Sequence, residues 1–313
     1  MTPLKILITD GLDQSGLNVL RSHADVDDRR DISADDLLKA IPDYDGLIVR
    51  GRTKVTASVV EAGARLKAIG RAGVGVDNID LDAAKKRNVV VVNAPMSTSI
   101  AVAELTFGLM LALAREIPRA DAGMKQGKWL KKELEGVELN GKTLGVIGFG
   151  RIGVELGKRA AAFGMNVIAY DPLISEDEIS KRGAEPVSIQ DLYAWSDFIS
   201  LHLPLNVQTR DMIGPLAFSQ MKDGARIVCA ARGGIIDETA LVAALNSGKV
   251  AGAALDVYAA EPPGETEAVL HPKVIAMPHI GAQTAEAQSR ASEDIANEVL
   301  SALQNKPLRW KVN

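Results

Sequence analysis

The chain is poor in several features that would assign a protein to a class. It contains one cysteine, Cys229, which can form no internal disulfide and lies in an apolar run typical of a buried strand. The formal net charge of −4 provides no basic surface for a nucleic acid or an anionic membrane. The longest apolar segment, 100–114, contains Glu104 and is too short to span a bilayer. Residues 1–10 hold too short an apolar stretch for a signal peptide, so we expect a cytoplasmic protein.

Histidine is also scarce, and none of the four histidines stands at metal-ligand spacing from a cysteine or an aspartate. We therefore expect no metal site. The absence of a G-x-S-x-G segment argues against a serine hydrolase.

The glycines are more informative. Gly148, Gly150 and Gly153 follow the apolar run 144–147 with the spacing G-x-G-x-x-G, and a helical pattern covers 151–163. In a dinucleotide-binding turn, the first glycine permits the tight turn and the second lets backbone N–H groups approach a pyrophosphate. The third lets the helix pack against the strand, and the helix N-terminus adds partial positive charge. Because a strand and a helix flank the glycines, the pattern favours a dinucleotide site over a purely structural turn.

Asp171 supports this interpretation. It ends a second apolar run, 18 positions after Gly153, near the spacing of an acid that binds a ribose 2′-hydroxyl. A carboxylate there would repel the 2′-phosphate of NADP, and the next three residues, 172–174, supply no compensating cation. The sequence therefore predicts NAD as the cofactor.

Strand-like and helix-like segments alternate along the chain, which predicts parallel sheets covered on both faces. A length of 313 residues suggests two domains. Strands are predicted at 5–9, 46–50, 67–70, 89–92, 143–147, 166–170, 198–203, 226–231, 251–256 and 274–277. Helices are predicted at 15–22, 34–40, 56–62, 81–86, 100–124, 151–163 and 284–303. The last six strands match the count of a full dinucleotide-binding sheet, and the final helix could fold back on the first domain.

Three polar positions follow the later strands, where open α/β sheets bind ligands. Arg232 comes directly after a strand and before two glycines, a position from which its guanidinium could bind a carboxylate; Asp237 is interpreted as a helix cap. Asp256 ends the next strand. Glu261 precedes two prolines and could equally be a solvated loop carboxylate.

The third position is His279, which lies at a strand end between Pro278 and Gly281 and is a good candidate for a general base. His202, at the end of another strand, is the one rival. The remaining histidines fall in polar or loop segments.

Together, these motifs resemble the D-isomer-specific 2-hydroxy acid dehydrogenases. The resemblance rests on the glycine turn with Asp171, on Arg232 with its two glycines, on Asp256 with Glu261 and Pro262, and on His279 with its neighbours. Supporting segments are 49–50, 70–78, 103–106, 127–129 and 139–144, so the match extends over nearly the whole chain.

The resemblance implies a role for each motif. Arg232, Glu261 and His279 are the implied catalytic residues: the arginine binds the substrate carboxylate, the histidine takes the hydroxyl proton, and the glutamate fixes the histidine tautomer. The implied NAD-binding residues are Gly148, Gly150, Arg151, Ile152, Gly153, Asp171, Pro204, Thr209, Ala230 and Asp256, the last toward the nicotinamide amide. The implied substrate-binding residues are Arg50, Arg71, Val74 and Gly75, with Arg52 or Lys54 as further candidate cations for a phosphate.

The same resemblance implies an α/β fold of two doubly wound parallel-sheet domains. A Rossmann NAD-binding domain, 97–282, would be inserted in a flavodoxin-like substrate domain formed by 1–96 and 283–313. The apolar segment 100–124 suggests a homodimer, and we expect no partner beyond a small-molecule 2-hydroxy acid, with neither nucleic acid nor membrane involved. Because the sequence ends at Asn313, we expect a short form without a C-terminal regulatory domain.

The substrate implied is D-3-phosphoglycerate. Hydroxypyruvate, glyoxylate and sulfolactate remain alternatives, because segments 50–52 and 96–99 depart from the family pattern in loops expected to face the substrate. An NAD-sensing protein, like the corepressors that share this fold, is an alternative of another class. The intact set of Arg232, Glu261 and His279 argues against it, although the fold alone would not.

Overall fold

The chain divides into two compact α/β units. The structure, a computed structural model, describes residues 3–313. The first unit comprises Met1–Ser99 and Ala282–Asn313, and the second comprises Ile100–Gly281. Among the described residues, no helix is long and apolar enough to cross a membrane.

The first unit contains a parallel sheet of five strands. The strands are β1 (Lys5–Ile8), β2 (Asp25–Asp28), β3 (Gly46–Val49), β4 (Ala68–Arg71) and β5 (Val90–Asn93). Their order, β2-β1-β3-β4-β5, is that of flavodoxin-like folds. The helices are α1 (Gln14–Arg21), α2 (Ala34–Ala40), α3 (Ala57–Ala62), α4 (Leu81–Lys86) and the later α13 (Ala285–Leu303), with a 3-10 turn at Ile41–Asp43.

Helix α13 completes the first unit although it comes last in the chain. It begins at Thr284, whose side chain accepts a hydrogen bond from the Ala287 N–H. Its apolar residues Ile295 and Val299 pack on one face of the first sheet. Gly16 of α1 lies so close to α13 that a Cβ atom would collide with the Ser292 carbonyl, which explains the glycine there.

The second unit contains a parallel sheet of seven strands. The strands are β6 (Thr143–Ile147), β7 (Asn166–Tyr170), β8 (Glu185–Pro186), β9 (Phe198–Leu201), β10 (Ala225–Cys229), β11 (Val250–Leu255) and β12 (Val274–Ala276). The helices are α5 (Ser99–Arg115), α6 (Ile117–Lys125), α7 (Arg151–Ala162), α8 (Glu176–Lys181), α9 (Ile189–Trp195), α10 (Pro215–Gln220), α11 (Glu238–Ser247) and α12 (Glu267–Leu270). The prediction of two doubly wound parallel-sheet domains is therefore confirmed.

The strand order of the second sheet fixes where a ligand can bind. The order is β12-β11-β10-β9-β6-β7-β8, so β6 lies between β7 and β9 and the chain winds outward in both directions from it. Ligands of open α/β sheets bind beyond the carboxyl ends of the strands at such a switch point. Gly148 follows β6 there, and His202 follows β9.

The core of the second unit lies on both faces of its sheet, because successive residues of a strand point to opposite sides. Along β9, Phe198 belongs to one apolar cluster and Ile199 to the other. Both side chains are fully buried. Burial on both faces explains why these strands appear in the sequence as continuous apolar runs.

The single helix predicted over 100–124 is wrong. Glu116 has a left-handed backbone, with φ 50°, and separates α5 from α6. Pro118 is the cause, since a proline ring cannot donate to the carbonyl four residues earlier and clashes with it. That carbonyl, on Ala114, instead accepts a hydrogen bond from the Val137 N–H at 2.8 Å.

Two edge strands were not predicted. Strand β2 has the sequence Asp-Val-Asp-Asp, whose acids resemble a loop, and it pairs with β1 alone. Strand β8 has only two residues, one of them Pro186, and proline is tolerated at a sheet edge. The prediction of six strands in the second sheet is consequently one short.

Candidate active site

The glycine turn after β6 has the geometry that a pyrophosphate needs. Gly148 has φ 92°, and a Cβ there would lie 2.7 Å from the His202 carbonyl. A Cβ on Gly153 would collide with the Gly148 carbonyl, whereas Gly150 faces open space. The turn is therefore closely packed on the protein side and open at the position where a ligand would approach.

Helix α7 starts at this turn, and the backbone N–H groups of its first turn can donate hydrogen bonds to a ligand. Its N-cap is Gly150, which has no side chain to cap the helix. The first intrahelical bond runs from the Val154 N–H to the Gly150 carbonyl, so Arg151 and Ile152 lie in the uncapped first turn. Uncapped N–H groups and the helix dipole favour an anion here. These features fit the dinucleotide predicted for this position.

Asp171 is bound to the same turn. Its Oδ2 accepts the Phe149 N–H at 2.8 Å and its Oδ1 accepts the Leu173 N–H at 2.8 Å. Each carboxylate oxygen has a further lone pair for a ribose hydroxyl. The structure also places Arg182 here, a cation that the sequence prediction missed: its Nη1 donates to the Phe149 carbonyl at 3.1 Å.

The loop after β9 brings two further predicted cofactor residues together. The Thr209 hydroxyl donates to the Pro204 carbonyl at 2.7 Å and accepts the Asn206 N–H at 2.8 Å. Thr209 is buried, and these bonds hold the loop closed. On the neighbouring strand, Ala230 is buried immediately after β10.

Arg232 lies two residues beyond Ala230, in a loop packed against the segment that follows β11. A Cβ on Gly233 would collide with the Tyr258 carbonyl, so only glycine allows this approach. The Glu238 side chain accepts the Ala259 N–H at 2.8 Å and joins the same two loops. The Arg232 Nη1 donates to the Ala231 carbonyl at 2.6 Å. The loop that carries the Arg232 guanidinium is therefore rigid.

Glu261 and His279 form a hydrogen-bonded pair. His279 Nδ1 lies 2.7 Å from Glu261 Oε2, and the other carboxylate oxygen accepts the Tyr258 N–H at 3.1 Å. The His279 side chain is 51% exposed, so a substrate can reach it. When Nδ1 carries the proton and donates to the carboxylate, Nε2 is left as a proton acceptor.

The backbone of His279 is held in an unusual conformation by Asp256. His279 has φ 55°, in the left-handed region that costs energy for a residue other than glycine. The Asp256 carboxylate accepts the Ile280 N–H at 2.8 Å and the Gly281 N–H at 2.7 Å. Burial raises the pKa of this carboxyl, whereas the two N–H groups act in the opposite direction. The nicotinamide contact implied for Asp256 stays a prediction; its bonds in the structure are to the histidine loop.

Tyr258 is a second anchor that the sequence did not reveal. It is buried, and its hydroxyl lies 3.0 Å from the Met277 carbonyl and 3.1 Å from the Leu255 carbonyl. It therefore links the end of β11 to the residue just before Pro278. The only signal for it in the sequence is an aromatic residue between two polar strand ends.

His202, the rival base, has a different environment. Burial lowers its pKa to about 4, so the ring is neutral at physiological pH. Its Nε2 bonds to the Ser200 Oγ at 2.9 Å, and its Nδ1 is buried with no hydrogen-bond partner in the described structure. The ring thus bonds to a hydroxyl, whereas His279 bonds to a carboxylate, and this difference favours His279 as the base. Within residues 3–313 there is also no cluster of acid, histidine and cysteine side chains able to bind a metal ion.

The first unit places its predicted substrate residues at one edge of its own sheet. Arg50 follows β3 and Arg71 ends β4, and Val49 pairs in register with Arg71. Burial lowers the pKa of the Arg50 guanidinium, which nearby Asp10 partly offsets. In the loop after β4, which contains Val74 and Gly75, the Asn93 amide donates to the Val74 carbonyl at 2.7 Å.

Arg52 stabilises the loop in which it lies. It bonds to the Asp10 carboxylate at 3.3 Å and to the Thr9 carbonyl at 2.7 Å. Asp10 also accepts the Arg50 and Thr53 N–H groups, at 2.8 and 3.1 Å. These bonds fix the loop that carries Arg50, so Arg52 has a structural role that its sequence position did not reveal.

Several known proteins resemble this chain over nearly its whole length. Residues 107–281 match the D-isomer specific 2-hydroxyacid dehydrogenase, NAD binding domain. The chain is 46% identical over 310 residues to a D-3-phosphoglycerate dehydrogenase of Rattus norvegicus, and 49% identical over 311 residues to one of Methanocaldococcus jannaschii. Each match covers 99% of this chain but only 58% and 59% of the relative, so the chain spans about three-fifths of their length.

A solved glyoxylate reductase from Paecilomyes thermophila is 33% identical and superposes with a TM-score of 0.90, covering 100% of this chain and 99% of that one. The matched domain and the glycine turn agree on NAD as the cofactor. The chain belongs to the D-isomer specific 2-hydroxyacid dehydrogenase family.

Proposed function

We propose that this protein oxidises D-3-phosphoglycerate to 3-phosphohydroxypyruvate with NAD, a reaction that would serve serine synthesis. The observation that carries the proposal is the Glu261–His279 pair at 2.7 Å, next to the rigid loop of Arg232. The relatives named D-3-phosphoglycerate dehydrogenase support the choice of substrate. A general base, a carboxylate-binding cation and a dinucleotide turn are the groups that such a reaction requires.

In the proposed mechanism, His279 Nε2 accepts the proton of the substrate 2-hydroxyl. Glu261 holds Nδ1 and stabilises the imidazolium that results. Arg232 binds the substrate carboxylate and orients C2. The glycine turn after β6 and Asp171 would hold NAD, which would supply the acceptor for the hydride of C2. In the reverse direction His279 returns the proton to the carbonyl oxygen.

For the phosphate we propose Arg50 and Arg71, which follow or end adjacent strands of the first unit. Backbone groups around Val74 and Gly75 would bind the carboxylate from that unit. A half-buried arginine such as Arg50, with its loop fixed by Asp10, loses little side-chain freedom on binding a phosphate.

The direct test is to measure initial rates with NAD for phosphoglycerate, glycerate, lactate and sulfolactate. We expect the highest kcat/KM for phosphoglycerate. The glyoxylate reductase structure makes glyoxylate or hydroxypyruvate reduction the second candidate, so the reverse reaction is assayed with NADH and 3-phosphohydroxypyruvate, glyoxylate and hydroxypyruvate. A higher kcat/KM for glyoxylate or hydroxypyruvate than for 3-phosphohydroxypyruvate would overturn the proposal. Tight NAD binding with no turnover of any substrate would point to an NAD-sensing protein.

Asp171 should determine the coenzyme preference. Its carboxylate would accept hydrogen bonds from both ribose hydroxyls of NAD, and it would repel a 2′-phosphate that carries about −1.5 to −2 charges. Asp171→Ala is expected to lower the ratio of kcat/KM with NAD to kcat/KM with NADP. Most of the change should come from NAD binding that is about tenfold weaker, the scale of one or two charged hydrogen bonds. Steady-state kinetics with both coenzymes measures this ratio.

A suitable control is Asp177→Ala, which removes the same charge from the exposed first turn of α8. It should leave the ratio unchanged. Equal use of NADP by the unmodified protein would mean that Asp171 does not face the ribose.

We also propose a homodimer in the cytoplasm, held by α5, α6 and their flanks. Ile117, Met124 and Trp129 are 52%, 57% and 76% exposed, an unusual concentration of large apolar side chains on one stretch. Sedimentation equilibrium should give twice the mass of the chain at micromolar concentration. A monomer under those conditions would remove this proposal.

A further inference from the structure

Arg182 is a cation that neither the glycine motif nor the acid after β7 accounts for. It follows α8, and its Nη1 donates to the Phe149 carbonyl at 3.1 Å, across 33 residues of sequence. Its Nε donates to Glu178 Oε1 at 2.8 Å, and its side chain is 34% exposed. Phe149 is the residue between the first two glycines of the motif, so Arg182 is attached to the turn itself.

The same residue also holds Asp171. The Phe149 N–H donates to Asp171 Oδ2 at 2.8 Å, so the carboxylate and the guanidinium bind the two polar backbone atoms of one residue. With ordinary backbone dimensions, the two charged groups are therefore within about 10 Å of each other. That is comparable to the Debye length of roughly 8 Å at physiological salt, and partial burial weakens the screening further.

The Arg182 guanidinium also has N–H donors that are available to a ligand. In the described part of the chain, no hydrogen bond is made by its Nη2 nitrogen, which carries two N–H groups. Glu178 compensates part of the charge, but it binds at Nε, on another edge of the fork. A guanidinium with two such donors is well suited to phosphate oxygens.

We propose that Arg182 is a coenzyme-specificity residue. Asp171 sets the preference against a 2′-phosphate, and Arg182 limits the size of that preference by supplying a cation on the same turn. The inference rests on the proposed position of the adenosine ribose at Asp171. It also implies that, once the Asp171 carboxylate is removed, Arg182 can bind the 2′-phosphate of NADPH.

The test is direct binding of NADH and NADPH to the protein without substrate, measured by titration calorimetry. Arg182→Ala is expected to raise the Kd of NADPH about 5- to 10-fold and that of NADH less than about twofold, since only NADPH carries the added anion. Arg182→Lys keeps the charge and should retain most of the NADPH binding. Lys158→Ala removes a positive charge paired with Glu155 on α7 and should leave both Kd values unchanged.

The Asp171→Ala background makes the effect larger. That variant should bind NADPH more tightly than the unmodified protein does, and adding Arg182→Ala should abolish the gain. Thermal melts of each variant confirm folding. Equal weakening of NADH and NADPH by Arg182→Ala would show that the arginine only supports the turn, and the inference would be wrong.

The Kd of NADH in the Asp171→Ala variant tests whether the adenosine ribose lies at Asp171. If Asp171→Ala left the Kd of NADH unchanged, the ribose would not lie at Asp171. Both the proposed cofactor position and the inference about Arg182 would then be rejected, whatever Arg182→Ala does.

Discussion

His279→Ala is expected to lower kcat by about 10²- to 10⁴-fold, the usual range for the loss of a general base. NAD binding should stay within about threefold of its original value, because Asp171 bonds to the turn after β6, whereas the imidazole bonds to Glu261. Stopped assays give kcat, and calorimetry gives the Kd of NAD. We assign the loss of kcat to the proton-transfer step, because the variant lacks the imidazole that accepts the proton. Glu261 is still present in this variant but has no imidazole to orient.

The informative comparison is His202→Ala. The His202 ring is neutral, with its pKa lowered to about 4, and is bonded to Ser200 rather than to a carboxylate. We expect its replacement to change kcat by only a few-fold. A partly buried histidine outside the candidate site, His271, provides a second control, because its ring bonds to the Asn246 side chain and to the Lys273 N–H. If His202→Ala were the crippling change and His279→Ala mild, the assignment of the base would be reversed.

The central strands were predictable because the physics that forms them is local. The segments predicted at 143–147 and 166–170 coincide with β6 and β7, whose apolar runs are buried on both sides of the sheet. Strand β2 was missed because three of its four residues are acids, and its place in the sheet comes from pairing with β1. The break at Glu116 was missed because Ile117 and Met124 continue the apolar residues beyond Arg115, and Pro118 between them was not interpreted as a helix break.

Much of the candidate site could be located from the sequence for a related reason. Parallel strands end at one edge of a sheet, and β10, β11 and β12 are neighbours, so the residues after them lie close together. That argument predicts proximity of Arg232, Glu261 and His279, and the structure shows the Glu261–His279 bond. Their catalytic roles stay predictions.

The groups that hold the site were not predictable in this way. Arg182 reaches the turn across 33 residues, and no spacing rule connects the two. The left-handed backbone of His279 depends on two N–H groups bound by Asp256, a contact that only the folded loops create. Sequence patterns therefore located the candidate catalytic side chains, whereas their orientation required the tertiary structure.

Arg232→Ala should lower kcat/KM by about 10²- to 10³-fold. The proposed guanidinium–carboxylate contact consists of charge-assisted hydrogen bonds, each worth about 1.5–3 kcal/mol, and each 1.4 kcal/mol corresponds to a factor of ten. Arg232→Lys keeps the charge but cannot form two parallel bonds to a carboxylate, so it should recover only part of the loss. Arg21→Ala, at the exposed end of α1, controls for the change in net charge.

The size of this effect depends on the rigidity of the loop that carries the arginine. Gly233 is in direct contact with the Tyr258 segment, and Glu238 bonds to Ala259, so the loop cannot shift to let another cation take over. The expected loss should therefore appear in kcat as well as in KM, because a substrate that is not held by its carboxylate is also misplaced relative to His279. Full activity of Arg232→Lys, or a loss below about threefold in Arg232→Ala, would show that the substrate carboxylate binds elsewhere.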